Sequence, residues 1–469
     1  MGSKLLIRSY NVGCGDCFYI RIPDDDSDFH MLIDCGTKEG ANSGVLKRAI
    51  EDLEQNQLPD DAATGKKRLD LIVVTHRHED HIKGFDPKYF KNIAIKNIWI
   101  TIAMDESHPQ AQKSLHLHNL AYNYVTAIKK ANIKLSPELE PILDLYSIGN
   151  KGATKALTKT FPDNNGIDVD YVHAGVTSDD LNLNIKNTKI TVLAPEKDID
   201  HFYLGKDLDE NLRGLSSDAQ SFGKHLSEDN ENLPTNISAS EYKFLKSRML
   251  SNGLAFTLND TSIQNNVSTV LLIEWNGKRL LFVGDAEWDS GYKEGRKNCS
   301  WNVMWEKRQE FLDKPLDFLK VGHHGSHNAT PWNRHEDDTH EVNQIFNSIL
   351  PLPLNGETPK AKCLISTKRS QYDTIPDAKL LSEIGKRVSN TKNYDDFFSS
   401  EIPNYDPDRD IFNYSIEKEY TSEPSPRQVG EKDWIKHPQP WRTDFESKGR
   451  GQKTMWQDHV EFIDVEFDA

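Results

Sequence analysis

The residues best suited to chemistry lie in one short segment, residues 75–81, with the sequence Thr-His-Arg-His-Glu-Asp-His. Imidazole and carboxylate groups are the ligands that zinc and similar divalent ions bind in proteins. The segment follows a predicted apolar strand, and the alternation of His76 and His78 places both rings on one side of extended backbone. Asp80 and His81 then turn towards a second point. The spacing therefore predicts one loop that serves two adjacent metal ions.

Two later segments repeat this pattern of a predicted strand that ends in a metal-ligating residue. Asp285 follows a hairpin predicted at 268–283, and His323 and His324 follow an apolar strand predicted at 316–321. Because the ends of neighbouring strands meet at one edge of a sheet, we expect Asp285 and one of the two histidines to join the first loop. The alternative, a cluster of solvated surface histidines, does not account for these partners.

Length and composition limit the class of protein. The chain has 469 residues and a net charge of −16, which argues against binding of a polyanion by the whole surface but not in a local groove beside divalent metals. Five cysteines predict a reducing compartment, with Cys14 and Cys17 as buried residues rather than a redox or zinc motif. Residues 1–10 lack the hydrophobic core of a signal peptide, and no apolar run reaches the ~20 residues that span a bilayer. We therefore expect a cytoplasmic protein without a membrane-spanning segment.

Hydrophobic periodicity predicts a mixed α/β domain that is interrupted by an insertion. The predicted division is a first half at 1–103, an insertion or lid region at 104–253, a second half at 254–390 and a C-terminal extension at 391–469. Strands are predicted at 4–10, 17–22, 30–33, 69–74, 93–102, 189–193, 268–275, 279–283, 316–321 and 362–367. Helices are predicted at 44–55, 113–134, 240–251, 302–312 and 377–387.

The ordered set of motifs resembles that of metallo-β-lactamase-fold hydrolases. Its members are Asp34 after a strand, His76-x-His78-x-Asp80-His81, Asp285 and a later His. Further segments resemble the hydrolase domain of ComEC-type DNA-uptake proteins: Asn11–Asp16, Asn265–Ser268, His323–Ser326, and Cys363–Ser366 followed by Tyr372 and Pro376. The resemblance covers about 4–103 and 254–390. It implies a metallo-β-lactamase αββα sandwich with a large mixed α/β insertion and a C-terminal extension, in a soluble stand-alone relative.

The resemblance also implies two divalent metal ions, zinc or manganese. The implied ligands are His76 and His78 for the first ion, Asp80 and His81 for the second, Asp285 between them, and His324 or the adjacent His323 as the last. Many family members have one more histidine ligand before the bridging aspartate. Here Asn266 or Ser268 occupies that region, so the position of the first ion has fewer protein ligands and is the less certain of the two.

The same resemblance implies supporting roles for other residues. Asp34 would orient a ligating histidine from outside the coordination sphere. Ser326 and His327 would position the substrate or donate a proton to the leaving group, and Asp80 would share in the handling of protons.

The leading functional expectation is metal-dependent hydrolysis of phosphodiester bonds in DNA, RNA or a nucleotide by a metal-activated hydroxide. Nucleic acid turnover or bacterial defence would be its setting. One alternative is hydrolysis of a small ester, lactone or thioester. Another is a non-catalytic binding or regulatory module, because Asn11 and Ile375 depart from the family pattern. The expected partner is a nucleic acid or nucleotide substrate. The acidic surface leaves room for a protein partner, no membrane partner is expected, and no oligomeric state is predicted.

Overall fold

The structure is a computed structural model. It describes residues 4–25, 27–40, 43–130, 149–183, 185–204, 238, 240, 254, 257, 258, 260–290, 298–354, 357–367, 375, 377–390 and 462–469. Tyr372, Pro376 and nearly all of the helix predicted at 240–251 lie outside these residues. Among the helices of the described part, none combines the length and the apolar character needed to cross a membrane.

The first sheet has seven strands and contains the strand that precedes the histidine segment. Its strands are β1 (Leu5–Tyr10), β2 (Phe18–Ile22), β3 (Phe29–Ile33), β6 (Leu71–Val74), β8 (Ile98–Thr101), β9 (Val169–Val172) and β15 (Phe462–Phe467). They are arranged in the order β15-β1-β2-β3-β6-β8-β9 within the described residues. Because β3 and β6 pair in parallel, their carboxyl ends are neighbours, and the two loops that follow them meet at one edge.

The second sheet has five strands and contains the other predicted ligand segments. Its strands are β10 (Thr188–Ala194), β11 (Val270–Trp275), β12 (Lys278–Phe282), β13 (Phe318–Lys320) and β14 (Lys362–Leu364), in that order. Asn276 and Gly277 have φ of 46° and 76°, so they form the left-handed two-residue turn that the sequence predicts between β11 and β12. Strands β12, β13 and β14 run parallel, which brings their carboxyl ends together.

A third, three-stranded sheet corrects one prediction. It consists of β4 (Asp60–Asp61), β5 (Lys66–Leu69) and β7 (Ile93–Ile95). The sequence predicts a single strand at 93–102, but the chain divides there into β7 and β8, which belong to different sheets. The physical reason is a change of pairing partner: β7 pairs with β5, whereas β8 pairs with β6. Hydrophobicity alone cannot reveal that change, because both strands are buried.

Helices cover the outer faces of the two large sheets. The α-helices are α1 (Val45–Asp52), α2 (Glu79–Ile82), α3 (Pro109–Lys130), α4 (Gly149–Lys155), α5 (Phe161–Asn165), α6 (Ser300–Leu312), α7 (Glu341–Ile349) and α8 (Ala378–Gly385). Short 3-10 or π-helical turns lie at Leu53–Gln57, Ile102–Met104, Ala156–Thr160, Asp200–Leu204 and His323–Gly325.

The hydrophobic core is layered. One cluster contains inward-facing residues of both sheets, such as Leu5, Phe18, Leu271 and Phe318, so the two sheets pack face to face. A second cluster lies between the first sheet and α1, and a third lies between the second sheet and α6, α7 and α8. The layers therefore follow the order helix, sheet, sheet, helix, and the predicted αββα sandwich is confirmed.

Strands from the predicted insertion and from the predicted C-terminal extension belong to the two large sheets. Strands β9 and β10 lie in the predicted insertion, yet each pairs with a strand of a large sheet, β8 and β11 respectively. Strand β15 lies in the predicted C-terminal extension and pairs antiparallel with β1. Arg8 of β1 stabilises this pairing through an ion pair to Asp464 at 2.7 Å, and it also pairs with Asp52 of α1 at 3.0 Å. The four-part division of the chain stays a prediction.

Candidate metal centre

The histidine segment begins where β6 ends, and hydrogen bonds to Asp34 hold it there. Thr75 donates its backbone N–H to Asp34 Oδ1 at 2.8 Å and its hydroxyl to Asp34 Oδ2 at 2.6 Å. His78 is the residue before α2, and Glu79 and Asp80 occupy its first turn. The helix dipole stabilises negatively charged side chains at this position. The parallel strands β3 and β6 thus place Asp34 beside the base of the predicted metal-binding loop.

Close backbone packing at Gly36 brings the same two loops together. A Cβ atom at Gly36 would lie 2.1 Å from the carbonyl carbon of Asp80 and 2.1 Å from the amide nitrogen of His81. Cys35 donates its N–H to the His81 carbonyl at 2.8 Å, and Asp16 donates its N–H to the Asp80 carbonyl at 2.9 Å. A glycine is required at position 36 because any side chain there would push α2 away.

A first group of ligand atoms forms at the end of β6. His76 Nε2 lies 2.9 Å from His78 Nδ1 and 3.7 Å from Asp285 Oδ2. The three residues are buried, and their ligand atoms all lie within 4.8 Å of one another. Two imidazoles and one carboxylate in this arrangement match the donor set of a divalent metal ion.

A second group lies beside the first. It consists of Asp80, His81 and His324, again buried and with ligand atoms within 4.8 Å of one another. His324 Nε2 lies 3.0 Å from Asp80 Oδ2, and His81 Nε2 lies 3.2 Å from Asp285 Oδ2. The Asp285 carboxylate therefore faces both groups, with one oxygen close to His76 and to His81.

The buried polar atoms of the two groups fit a cation. His78 Nε2, Asp80 Oδ1 and His81 Nε2 are buried and make no hydrogen bond among the described residues, and the same is true of Oδ1 of Asp16, which forms a third group with His81 and Asp285. An unpaired buried polar atom costs about 1–3 kcal/mol. Several such atoms among imidazoles and carboxylates are a lining that a divalent cation would satisfy. The residues present therefore fit one or two divalent ions.

Three of the four ligand imidazoles are held from behind at their other nitrogen. His81 Nδ1 lies 2.7 Å from Asp34 Oδ2, and His324 Nδ1 lies 2.7 Å from the Ser366 carbonyl. His76 Nδ1 lies 3.2 Å from the Ser268 hydroxyl, which also accepts the Asp285 N–H at 3.2 Å. Such contacts fix the ring orientation and the tautomer of a ligating histidine.

Asn266 acts one step further from the ligands. Its side-chain oxygen accepts the N–H of Ser300 at 2.8 Å and that of Glu287 at 3.2 Å, and its amide donates to Glu287 Oε2 at 2.9 Å. Glu287 also accepts hydrogen bonds from Asn265 at 2.9 Å and Ser262 at 2.7 Å. This network holds the segment that carries Asp285 and does not place Asn266 in either ligand group.

Burial and charge set the protonation of the ligands. Burial lowers the pKa of His78 to about 3 and that of His76 well below its usual value, so both rings are neutral, which is the metal-binding form. Burial opposes the charge of Asp80, but Lys38 and His324 outweigh it and hold its pKa well below the usual range. Burial also opposes a charged His81, yet Asp285 and Asp34 raise its pKa well above normal.

A buried ion pair lies beneath the second group. Lys320 Nζ contacts Asp16 Oδ2, with both side chains 2% exposed, and also donates to the Gly284 carbonyl at 3.1 Å. Burial disfavours the charged lysine, but Asp16 and Asp285 outweigh it and raise its pKa. Asp16 Oδ2 lies 3.7 Å from His81 Nδ1, so the pair adjoins the ligands. A lysine within the otherwise apolar strand β13 is the sequence signal that could have indicated this contact.

The structure separates the other predicted residues from the two ligand groups. His323 is half-buried with φ of 41°, its backbone N–H donates to Asp285 Oδ1 at 3.2 Å, and its ring faces Glu287 at 3.8 Å. Ser326 donates its hydroxyl to Asn328 at 2.8 Å, and His327 is exposed. Of the adjacent histidines, the structure thus brings His324 to the ligands, and the roles of Ser326 and His327 stay predictions.

Two side chains near the groups have no counterpart in the predicted set. Lys38 Nζ lies 3.1 Å from Asp80 Oδ2 with only 6% of its side chain exposed. His118 of α3 is buried, lies 3.2 Å from Asp260, and its charge would act on His78. His116, two residues earlier on the helix, is exposed. The sequence does not mark Lys38 or His118 as part of the centre, because each reaches it only through the folding of the chain.

Comparison with known proteins agrees with this geometry. Residues 11–89 match the model of the family described as the metallo-beta-lactamase superfamily. The match includes Asp34 and the whole 75–81 segment, whereas Asp285 and His324 lie outside the matched range. A comparison with curated proteins found no match.

Proposed function

We propose that this protein is a metal-dependent phosphodiesterase that acts on a nucleic acid or a nucleotide. The family match and the His/Asp groups indicate metal-dependent hydrolysis. The observation that carries the proposal is the position of Asp285, whose carboxylate faces both ligand groups at 3.7 Å from His76 and 3.2 Å from His81. A shared carboxylate between two such groups is typical of two-metal sites, and phosphatases and nucleases use two-metal sites for in-line displacement at phosphorus.

The side chains of this chain have definite tasks in that reaction. His76, His78, Asp80, His81, Asp285 and His324 would hold the ions. Bound divalent cations supply an acidified water as the nucleophile at neutral pH. Asp34 keeps the His81 ring oriented through its 2.7 Å contact. The low pKa of Asp80 keeps this carboxylate anionic at neutral pH, so it stays available as a ligand.

A substrate panel tests the proposal. The purified full-length chain, loaded with zinc or with manganese, is assayed on single-stranded DNA, duplex DNA, RNA, bis-p-nitrophenyl phosphate and lactones. We expect phosphodiester cleavage that is lost in the Asp80→Ala, His81→Ala double variant. Cleavage of lactones without cleavage of any phosphodiester would instead support the small-ester alternative. Less than one bound ion per chain, with no activity on the panel, would support a non-catalytic module.

The partner, the ions and the location belong to the same proposal. We take a nucleic acid or nucleotide as the substrate, zinc or manganese as the ions, and the cytoplasm as the compartment. Cys14, Cys17 and Cys35 are buried and free, which agrees with a reducing compartment. A ComEC-type relationship is supported by the sequence motifs alone. A protein partner on the acidic surface is a further proposal, which co-purification of the full-length chain would test.

A further inference from the structure

Three lysines lie in a row on the exposed face of residues 149–165. Helix α4, the π-helical turn that follows it and α5 form one continuous helical stretch there. Lys151, Lys155 and Lys159 follow one another at intervals of four residues, so their side chains share one face, and all three are exposed. Leu157 and the two alanines between them are buried in the core layer of the first sheet. We call these three side chains the lysine row.

The lysine row is unfavourable for the helix by itself. Like charges four residues apart destabilise a helix, and the row contains two such pairs. Among the described residues, Lys155 and Lys159 form no ion pair, although Asp163 lies four residues beyond Lys159. The chain has 73 acidic and 57 basic residues, so its composition does not account for a local run of positive charge. A ligand with regularly spaced negative charges would offset the repulsion within the row.

The lysine row begins beside the metal centre. Helix α4 packs against α2, which carries two of the predicted ligands. The ammonium of Lys151 lies 4.4 Å from the ring centroid of Tyr122 in α3, a contact that holds this end of the row against α3. Burial lowers the pKa of His118, also in α3, and the charge of Lys151 adds to this effect. His118 in turn acts on the ligand His78. From this end, the row follows the helix for about two turns.

We propose that the lysine row binds the backbone of a nucleic acid strand, one phosphate of which lies at the metal centre. This inference rests on the phosphodiesterase proposed above and narrows its substrate from a nucleotide to a polymer. The row is about 12 Å long, so its three ammonium groups match successive phosphates and not a single one. Lysine contacts to phosphate act through charge and carry no sequence information, so the row binds strands of any sequence.

Two double variants of the full-length protein test the role of the row. Lys155→Gln with Lys159→Gln removes two charges that make no ion pair among the described residues, so the fold loses no such contact. The matched control is Lys189→Gln with Lys314→Gln, which changes the net charge equally at two exposed lysines. Lys189 and Lys314 lie where β12 and β13 begin, at the edge of the second sheet opposite the metal centre.

The probe is a fluorescent 20-nucleotide strand with phosphorothioate linkages, which keep the charge of phosphate and resist hydrolysis. Its binding to the metal-loaded proteins is measured by anisotropy at several salt concentrations. Each phosphate contact with a single strand contributes ~0.7 to the slope of log K against log salt. In the row variant the slope should therefore become shallower by about 1.4, and binding at 0.1 M salt should weaken roughly 25-fold. The control variant should bind within about twofold of the parent.

Cleavage assays separate binding along the row from chemistry at the metal centre. In the row variant, kcat/KM should fall for an unmodified DNA strand but not for bis-p-nitrophenyl phosphate, which is too short to reach Lys155 from the centre. Lys155→Arg with Lys159→Arg keeps both charges and should retain most of the affinity for the strand.

Two results would overturn the inference. One is an equal affinity and an equal salt slope in the row variant and the control. The other is loss of binding to phosphatidylserine vesicles with unchanged binding to the strand, which would make the row a membrane contact. If the row binds the strand but the parent cleaves no phosphodiester, the proposed function is refuted and this inference stands. Cleavage of bis-p-nitrophenyl phosphate without a contribution of the row to strand binding has the opposite meaning.

Discussion

The buried pair between Lys320 and Asp16 offers the sharpest test of how the centre is stabilised. Lys320→Met removes the ammonium and leaves a side chain of similar length. Asp16 then loses the contact of its Oδ2 atom, and its Oδ1 atom is already buried without a hydrogen bond among the described residues. The ammonium of Lys320 also donates to the Gly284 carbonyl at 3.1 Å, next to Asp285. The substitution therefore leaves a buried carboxylate without its ammonium partner, and the nearest remaining cationic group is the His81 ring at 3.7 Å.

The expected cost follows from the burial of the pair. Both side chains are 2% exposed, so water cannot replace the lost partner. Removal of one partner from a buried ion pair costs about 3–5 kcal/mol. Replacement of both partners is often close to neutral, because no buried charge then remains. We expect Asp16→Asn combined with Lys320→Met to recover at least ~2 kcal/mol relative to Lys320→Met alone.

The assay is urea unfolding followed by circular dichroism and tryptophan fluorescence. EDTA is present, so that bound metal does not contribute to the free energy of unfolding. The matched control is Lys67→Met, because Lys67 pairs with Asp60 at 2.6 Å but Asp60 is 87% exposed. That change should cost less than ~1 kcal/mol.

Additive behaviour would refute this reasoning. If the double variant loses the sum of the two single losses, the ion pair contributes no coupling and the lysine is held by packing alone. The same conclusion follows if Lys320→Met costs no more than the exposed control.

Three further predictions concern the surroundings of the centre. Asp34→Asn should lower the affinity for zinc roughly 10- to 100-fold, measured by competition with a chelating dye, and unchanged affinity would contradict its orienting role. Gly36→Ala places a Cβ 2.1 Å from the backbone of Asp80, so it should lower the free energy of unfolding by roughly 2–3 kcal/mol and release metal. The control Gly40→Ala meets nothing within 4 Å and should do neither. Equal melting temperatures and metal contents of the two variants would contradict the clash. His30 is buried and its pKa is lowered to about 4 from 6.5, chiefly by burial, so the unfolded chain takes up the proton first as the pH falls. Neutral His30 should contribute up to ~3 kcal/mol to the free energy of unfolding above pH 6.5, and this contribution should be lost as the pH falls from 6.5 to 4. In urea unfolding, a His30→Gln variant should lose less stability than the parent over that range. An identical pH dependence of the two proteins would contradict the prediction.

Most strands and helices were predictable from the local pattern of the sequence, and the features that were missed share one cause. The hairpin with Asn276 and Gly277, the amphipathic α1 and the apolar β13 each carry a signal within a few residues, so they appear where the sequence places them. The division of 93–102 into β7 and β8 has no such signal, since it depends on which strand each half pairs with. Strand β15 likewise adds to the first sheet through pairing with β1, some 450 residues earlier in the chain.

For the candidate centre, the sequence by itself determined the ligand types and their order, because a short run of histidine and aspartate at a strand end has few other physical explanations. It did not decide between His323 and His324, since the two are adjacent. The tertiary structure does so through φ values of 41° and 55°, which turn the His324 ring to Asp80. The structure also supplies Lys38 and Lys320, whose charges reach the centre across loops and sheets. Long-range charge compensation of this kind depends on folded distances, which one-dimensional spacing does not contain.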